Sequence, residues 1–97
     1  MWLQPDSVKA WNELASALVI SENYAQCLAA LDRVRALGKE VPGDFYFRAL
    51  SLDRLRQIKP AIDAYRQFLT IAAGKFPDQE FLARQRVRIL ENELKRK

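Results

Sequence analysis

The chain has 97 residues, 49% of them apolar and 29% charged, with a formal net charge of +4 and no histidine. That length holds one domain, and with a single cysteine, Cys27, and no histidine, an internal disulfide, the usual Cys/His zinc sites and the commonest general base near neutral pH are excluded. No run approaches the roughly 20 consecutive apolar residues of a spanning helix, MWLQPDSVK lacks the blocks of a secretory signal, and no GxGxxG, P-loop or GxSxG motif occurs.

These absences point to a protein that is not an enzyme, needs no cofactor or metal, touches no membrane and resides in the cytoplasm. Few glycines and prolines beside much alanine, leucine, arginine and glutamine favour an all-α fold.

The first predicted helix covers 7–21. Asp6 and Ser7 are placed to cap it, and Trp11, Ala15 and Leu18 form one face at i, i+4, i+7. Ahead of it, TrpLeuGlnPro at 2–5 has two readings: a short extension folding Trp2 and Leu3 onto this helix, or the tail of a preceding helix in a longer array. The second helix, 23–37, is capped by Ser21 or Asn23, carries Tyr24, Cys27, Leu28, Leu31 and Val34 on one face, and stops at Gly38. ValProGlyAsp at 41–44 is a turn ending in a capping Asp44. A third helix, 44–56, repeats the first with Phe45, Ala49 and Leu52. The fourth, 59–73, has Pro60 in its first turn and Ile58, Ala61, Ile62, Tyr65 and Phe68 as its face. Gly74 ends it, and PheProAsp at 76–78 opens a fifth helix over 78–95.

The chain repeats itself at a shift of 34. Trp11 falls on Phe45, Ala15 on Ala49, Leu18 on Leu52, Cys27 on Ala61, Leu31 on Tyr65 and Val34 on Phe68. Apolar meets apolar and small meets small, so each unit is one helix pair whose small residues let the two helices approach. Cys27 is then a small buried residue at that contact, inert as a thiol.

Trp11-x2-Leu14-Ala15-x2-Leu18 followed by Cys27-x3-Leu31 resembles the tetratricopeptide repeat, and Phe45-x2-Arg48-Ala49-x2-Leu52 followed by Ala61-x3-Tyr65 resembles it again. Arg48 departs from the pattern at an apolar position, and Lys39 and Ala73 stand where a closing proline is usual. The resemblance implies an antiparallel helix-pair solenoid with one repeat over 8–41, a second over 42–75 and a capping helix over 76–97. It also implies that the first helix of each pair lines a concave, partner-binding side. The candidate residues there are Asn12, Ser16 and Val19, then Tyr46, Leu50, Asp53 and Arg54. Tyr46, Phe47 and Leu50 exceed what one buried face needs. Tyr46 and Leu50 either pack internally or floor a groove for a peptide or protein partner. A clamp for a C-terminal carboxylate, known in this family, is disfavoured because Ser16, Phe47 and Phe81 fall at its polar positions.

The fifth helix carries Ala83, Val87, Leu90 and Leu94 as a stripe to cover the fourth, with Phe81, Leu82 and Ile89 off it. Its Glu80, Arg84, Arg86, Arg88, Glu91, Glu93 and Lys95 read as a solvated face, with Glu80/Arg84 and Glu91/Lys95 as i, i+4 pairs. Net charge runs from −1 over residues 1–43 to +3 over 75–97. Two alternatives to a concave peptide site follow. One is self-association through the open N-terminal edge at Trp2 and Leu3; the other, weaker because acids alternate with the bases, is nucleic-acid contact through the basic last helix.

Overall fold

The computed structural model describes residues 8–38 and 40–96. Trp2, Leu3 and the caps Asp6 and Ser7 lie outside them, as does Lys39. The described residues form five helices: α1 (Val8–Ile20), α2 (Tyr24–Ala36), α3 (Pro42–Arg54), α4 (Ile58–Ala72) and α5 (Pro77–Lys95). No described helix is long and apolar enough to cross a membrane. Helix α1 packs along α2 and α3 along α4, α2 lies against α3, and α5 packs along α4. The body is elongated, 44 × 28 × 21 Å.

The 34-residue shift is present in the backbone. Glu22 and Arg56 both take left-handed φ, 62° and 64°. Around Glu22 the Asn23 N–H bonds Leu18 O and the Glu22 N–H bonds Val19 O; around Arg56 the Gln57 N–H bonds Leu52 O and the Arg56 N–H bonds Asp53 O. These are two Schellman endings in the same register. Both use a residue with a Cβ where glycine is the usual occupant. Asn23 is the N-cap of α2, as expected, but its side chain makes no capping bond there; its amide donates to Ser21 Oγ at 2.9 Å.

The small residues do what the repeat asks of them. Ala15, Ala49 and Ala83 are each fully buried, as are Cys27 and Ala61. Burial pushes the Cys27 thiol up from its usual value, with Ser51 and Arg48 opposing, so little thiolate forms. Two apolar clusters result. One gathers Ala15, Cys27, Ala30 and Leu31 with Phe47 packed on it. The other gathers Ala49, Ala61, Tyr65, Phe68, Ala72, Ala83 and Leu90, with Tyr46 and Val87 at its edge.

Two expectations for acidic residues change. Helix α3 starts at Pro42, so Asp44 lies in its first turn rather than at the cap. Its carboxylate accepts the Val41 N–H at 3.0 Å, reaching back to satisfy the chain before the helix. Glu80 is 5% exposed rather than solvated. Its Oε1 accepts the Gly74 N–H at 3.0 Å and its Oε2 the Phe76 N–H at 2.9 Å, which closes the α4–α5 loop. Glu80→Ala removes both charge-assisted bonds and is expected to cost about 1–2 kcal/mol in urea unfolding, with Gln recovering part. A change of only a few tenths would mean that water replaces the carboxylate freely.

Arg48 bonds Asp32 of α2 at 2.9 Å, with its own side chain only 12% exposed. The stem thus fills an apolar position while one end of the guanidinium reaches a carboxylate at the surface. Of the α5 stripe, Ala83 and Leu90 are fully buried against α4, whereas Leu94 is at the exposed margin.

Candidate functional site

Helices α3 and α5 flank a cleft of about 210 Å³ lined by Gly43, Tyr46, Phe47, Phe68, Phe76 and Gln79. Phe68, 1% exposed on α4, is at its base. Tyr46 leans on that base, its ring centroid 5.2 Å from Phe68 and 6.4 Å from Tyr65. Phe47 lies 6.5 Å from Tyr46 and Phe76 lies 6.4 Å from Phe68, so four rings line the cavity in tilted contacts. Gly43 opens one wall: a Cβ there would meet nothing within 4 Å. Phe76 is the N-cap of α5, and Glu80 fixes its backbone amide. Burial raises the Tyr46 phenol above its usual value, against the pull of Arg54, so it stays neutral and able to donate.

Beneath the cleft is a polar knot joining three helices. Tyr65 Oη donates to Asp53 Oδ2 at 2.9 Å. Arg86 of α5 donates from Nε to Oδ2 at 2.7 Å and from Nη2 to Oδ1 at 2.8 Å. Asp53 is 4% exposed. Burial alone would raise its carboxyl, but Arg86, Tyr65 and Arg54 outweigh that and hold it below the usual range.

Only Tyr46 of the seven sequence-derived residues lines the cleft. Leu50 and Ser16 are half-buried, Val19 packs against the first cluster, and Arg54 is exposed. Asn12 is half-buried, with its Oδ1 buried and unbonded. Asp53 is turned inward instead: its carboxylate is 4% exposed and engaged by Tyr65 and Arg86. Phe68, Phe76, Gly43 and Gln79 were missed, and Phe47, noted only as a surplus apolar residue, was not among the seven. The sequence signal for Phe76 was its place in the turn that opens α5. Phe68 reads only as core, and it is core as well as cleft base.

Three shallower hollows are larger, among them one of about 270 Å³ at Glu91, Leu94 and Lys95; the other two lie on α1–α4. One of about 340 Å³ lies beside Phe45, Arg66, Gln67, Thr70 and Ile71. The other, about 360 Å³, is bounded by Trp11, Leu14, Leu18 and Ala30, with the Arg33 guanidinium 5.6 Å from the Trp11 ring. The four-ring cleft is the more enclosed. No group of side chains able to hold a metal ion occurs among the described residues. In comparisons with known proteins, no family model, no curated protein and no solved structure matches the chain.

Proposed function

We propose that this chain is a tetratricopeptide-like binding module that holds one large apolar side chain of a peptide or partner protein in the cleft between α3 and α5. The observation that carries the reading is the ring-lined cavity itself. At about 210 Å³ it falls below the roughly 300–1,000 Å³ of small-molecule sites, yet it has room for one side chain delivered by a longer ligand. The doubled Schellman turn and the buried alanines at a 34-residue spacing support the repeat reading. The work is binding, with no chemistry and no cofactor. Tyr46 anchors the ligand through its ring and hydroxyl, and Gln79 offers an amide at the rim. Arg54 is near enough to act on the Tyr46 phenol, Leu50 lies one turn along α3 from Tyr46, and Asp53 takes no part.

A photo-reactive phenylalanine analogue at Gln79 tests this in extract of the source cell. Adducts should form and should disappear with Gly43→Phe, which fills the open wall without removing a contact. Circular dichroism should show equal helicity. Adducts indifferent to Gly43→Phe, or none, would sink the cleft.

A further inference from the structure

The apolar lining of the cleft between α3 and α5 is wholly aromatic. Tyr46, Phe47, Phe68 and Phe76 supply it, and among the described residues no Leu, Ile, Val or Met joins them. Neighbouring rings meet at 51°, 53° and 41°, so none lies flat on the next and part of each face is left for a guest. Ring faces are the negative side of the aromatic quadrupole, and several of them around one cavity attract a cation that has left water.

The charges around the cleft act in the same direction. Glu80 is 5% exposed, its carboxylate bonds the Gly74 and Phe76 amides, and no ion pair to it occurs among the described residues. Asp78 is exposed one residue before Gln79. The N-termini of α3 and α5 border the cleft and bring about half a positive charge each. Asp44 in the first turn of α3 and Asp78 and Glu80 in that of α5 outweigh them. The neighbouring bases are Lys75, beside Phe76 in the chain, and Arg54, near the Tyr46 phenol. Both are exposed, where solvent and salt screen them, while Glu80 acts through the protein interior.

We propose that the cleft takes the head of a trimethylated lysine of the partner protein, held among the Tyr46, Phe47, Phe68 and Phe76 rings. This rests on the cleft being the binding site and narrows its guest to a side chain that is methyl at its surface and positive in charge. Hydrogen bonding selects the head. An unmethylated ammonium brings three N–H donors, and the lining offers only the Gln79 carbonyl and the Tyr46 oxygen to receive them, so one is buried unbonded at a cost. A trimethylammonium has no N–H and keeps its charge. A neutral head of the same shape gains the burial without the attraction to the rings. The stem selects the carrier. The choline of a phospholipid has a phosphate two carbons from its nitrogen, which would stand at a rim that holds Asp78 and Glu80. Lysine has uncharged methylenes there.

Titration of the isotope-labelled whole chain with N-acetyl-trimethyllysine methylamide tests this against a neutral isostere, in which carbon replaces the ammonium nitrogen. The Gly43, Phe76 and Gln79 amides are followed by NMR. The charged probe should bind about three- to thirtyfold more tightly than the neutral one, the range of a cation–ring contact out of water, and more tightly than unmethylated lysine. Phe76→Leu, at a side chain 38% exposed, removes one ring and keeps apolar bulk, so it should shrink the preference for charge. Gly43→Phe should abolish binding of both probes, with helicity unchanged by circular dichroism. Equal or tighter binding of the neutral probe would overturn the cation and leave the cleft as a site for an apolar side chain. So would binding of neither probe while the crosslink at Gln79 still forms and responds to Gly43→Phe; loss of that crosslink as well would remove the cleft itself. Shifts indifferent to Gly43→Phe would place the contact elsewhere and overturn the proposal. Tighter binding of phosphocholine than of the lysine probe would overturn it in favour of a lipid head group.

Discussion

Phe68→Ala should lower stability by about 3–5 kcal/mol, the usual cost of deleting a buried ring and leaving its cavity. Phe68 is 1% exposed and touches the second cluster on one side and the Tyr46 and Phe76 rings on the other. Its neighbours collapse poorly into the gap. Ala49, Ala61, Ala64 and Ala72 of the same cluster are too short to fill it. For a domain whose total stability is roughly 5–15 kcal/mol, such a loss is a large share. At about 4–8 °C per kcal/mol in this size range, thermal unfolding should fall by well over 10 °C. Phe68→Leu refills most of the volume and should cost about 1–1.5 kcal/mol while deepening the cleft. The pair therefore separates the two jobs of this side chain: Ala tests the core, and Leu tests the ligand. A loss below about 1 kcal/mol for Phe68→Ala, with an unchanged denaturant slope, would mean that the ring is not held as the contacts imply.

The helices were legible because their signals are local. Apolar period, Gly38, Pro60 and Pro77 place every boundary within two residues of the observed one. The largest shift, at α3, arose because Val-Pro-Gly was read as a turn. Proline at the first helical position needs no N–H partner, and helical backbone at Gly43 leaves Asp44 to bond backward. The turns at Glu22 and Arg56 carried no glycine to mark them. The candidate site was far less legible. The seven residues were chosen by register along the first helix of each pair, and of them only Tyr46 lines the cleft. What register could not supply was the rotation of α5. That rotation turns Arg86 and Glu80 inward, brings Phe76 and Gln79 to the cleft, and exposes Phe81, Leu82 and Ile89. It is set by contacts between residues more than thirty positions apart, such as Asp53 with Arg86 and Arg56 with Glu93, and no periodicity within one helix encodes them.

Asp53→Ala should cost about 3 kcal/mol, the low end for removing one partner of a buried ion pair. The low end applies because Arg86 is 36% exposed and recovers water when its carboxylate goes. Tyr65, 1% exposed, recovers none, and its hydroxyl is left buried without an acceptor. Asp53→Asn keeps the volume and one acceptor but turns an amide donor toward a guanidinium or a phenol, so it should destabilise too. The pH dependence distinguishes charge from packing. The folded carboxyl is held below its unfolded value of about 3.9, mainly by Arg86 and Tyr65 working against the burial that would raise it. A depressed acid stabilises the folded state where it is ionised in both states. The gap between wild type and Asp53→Asn should therefore be flat from about pH 5 to 8. It should shrink as pH falls below about 4, where the carboxyl of the unfolded chain takes up a proton that the folded one still resists. The Tyr65 phenol is pushed up by burial and by Asp53, so it remains the donor throughout that range. A gap that stays constant into acid would show that shape, not charge, joins α3 to α5. The same variant reads out the rotation of α5: with Arg86 released, amide exchange in α5 should accelerate more than in α1 and α2. Equal acceleration everywhere would assign Asp53 to global stability alone and leave the orientation of α5 to Ala83, Leu90 and the Glu80 loop.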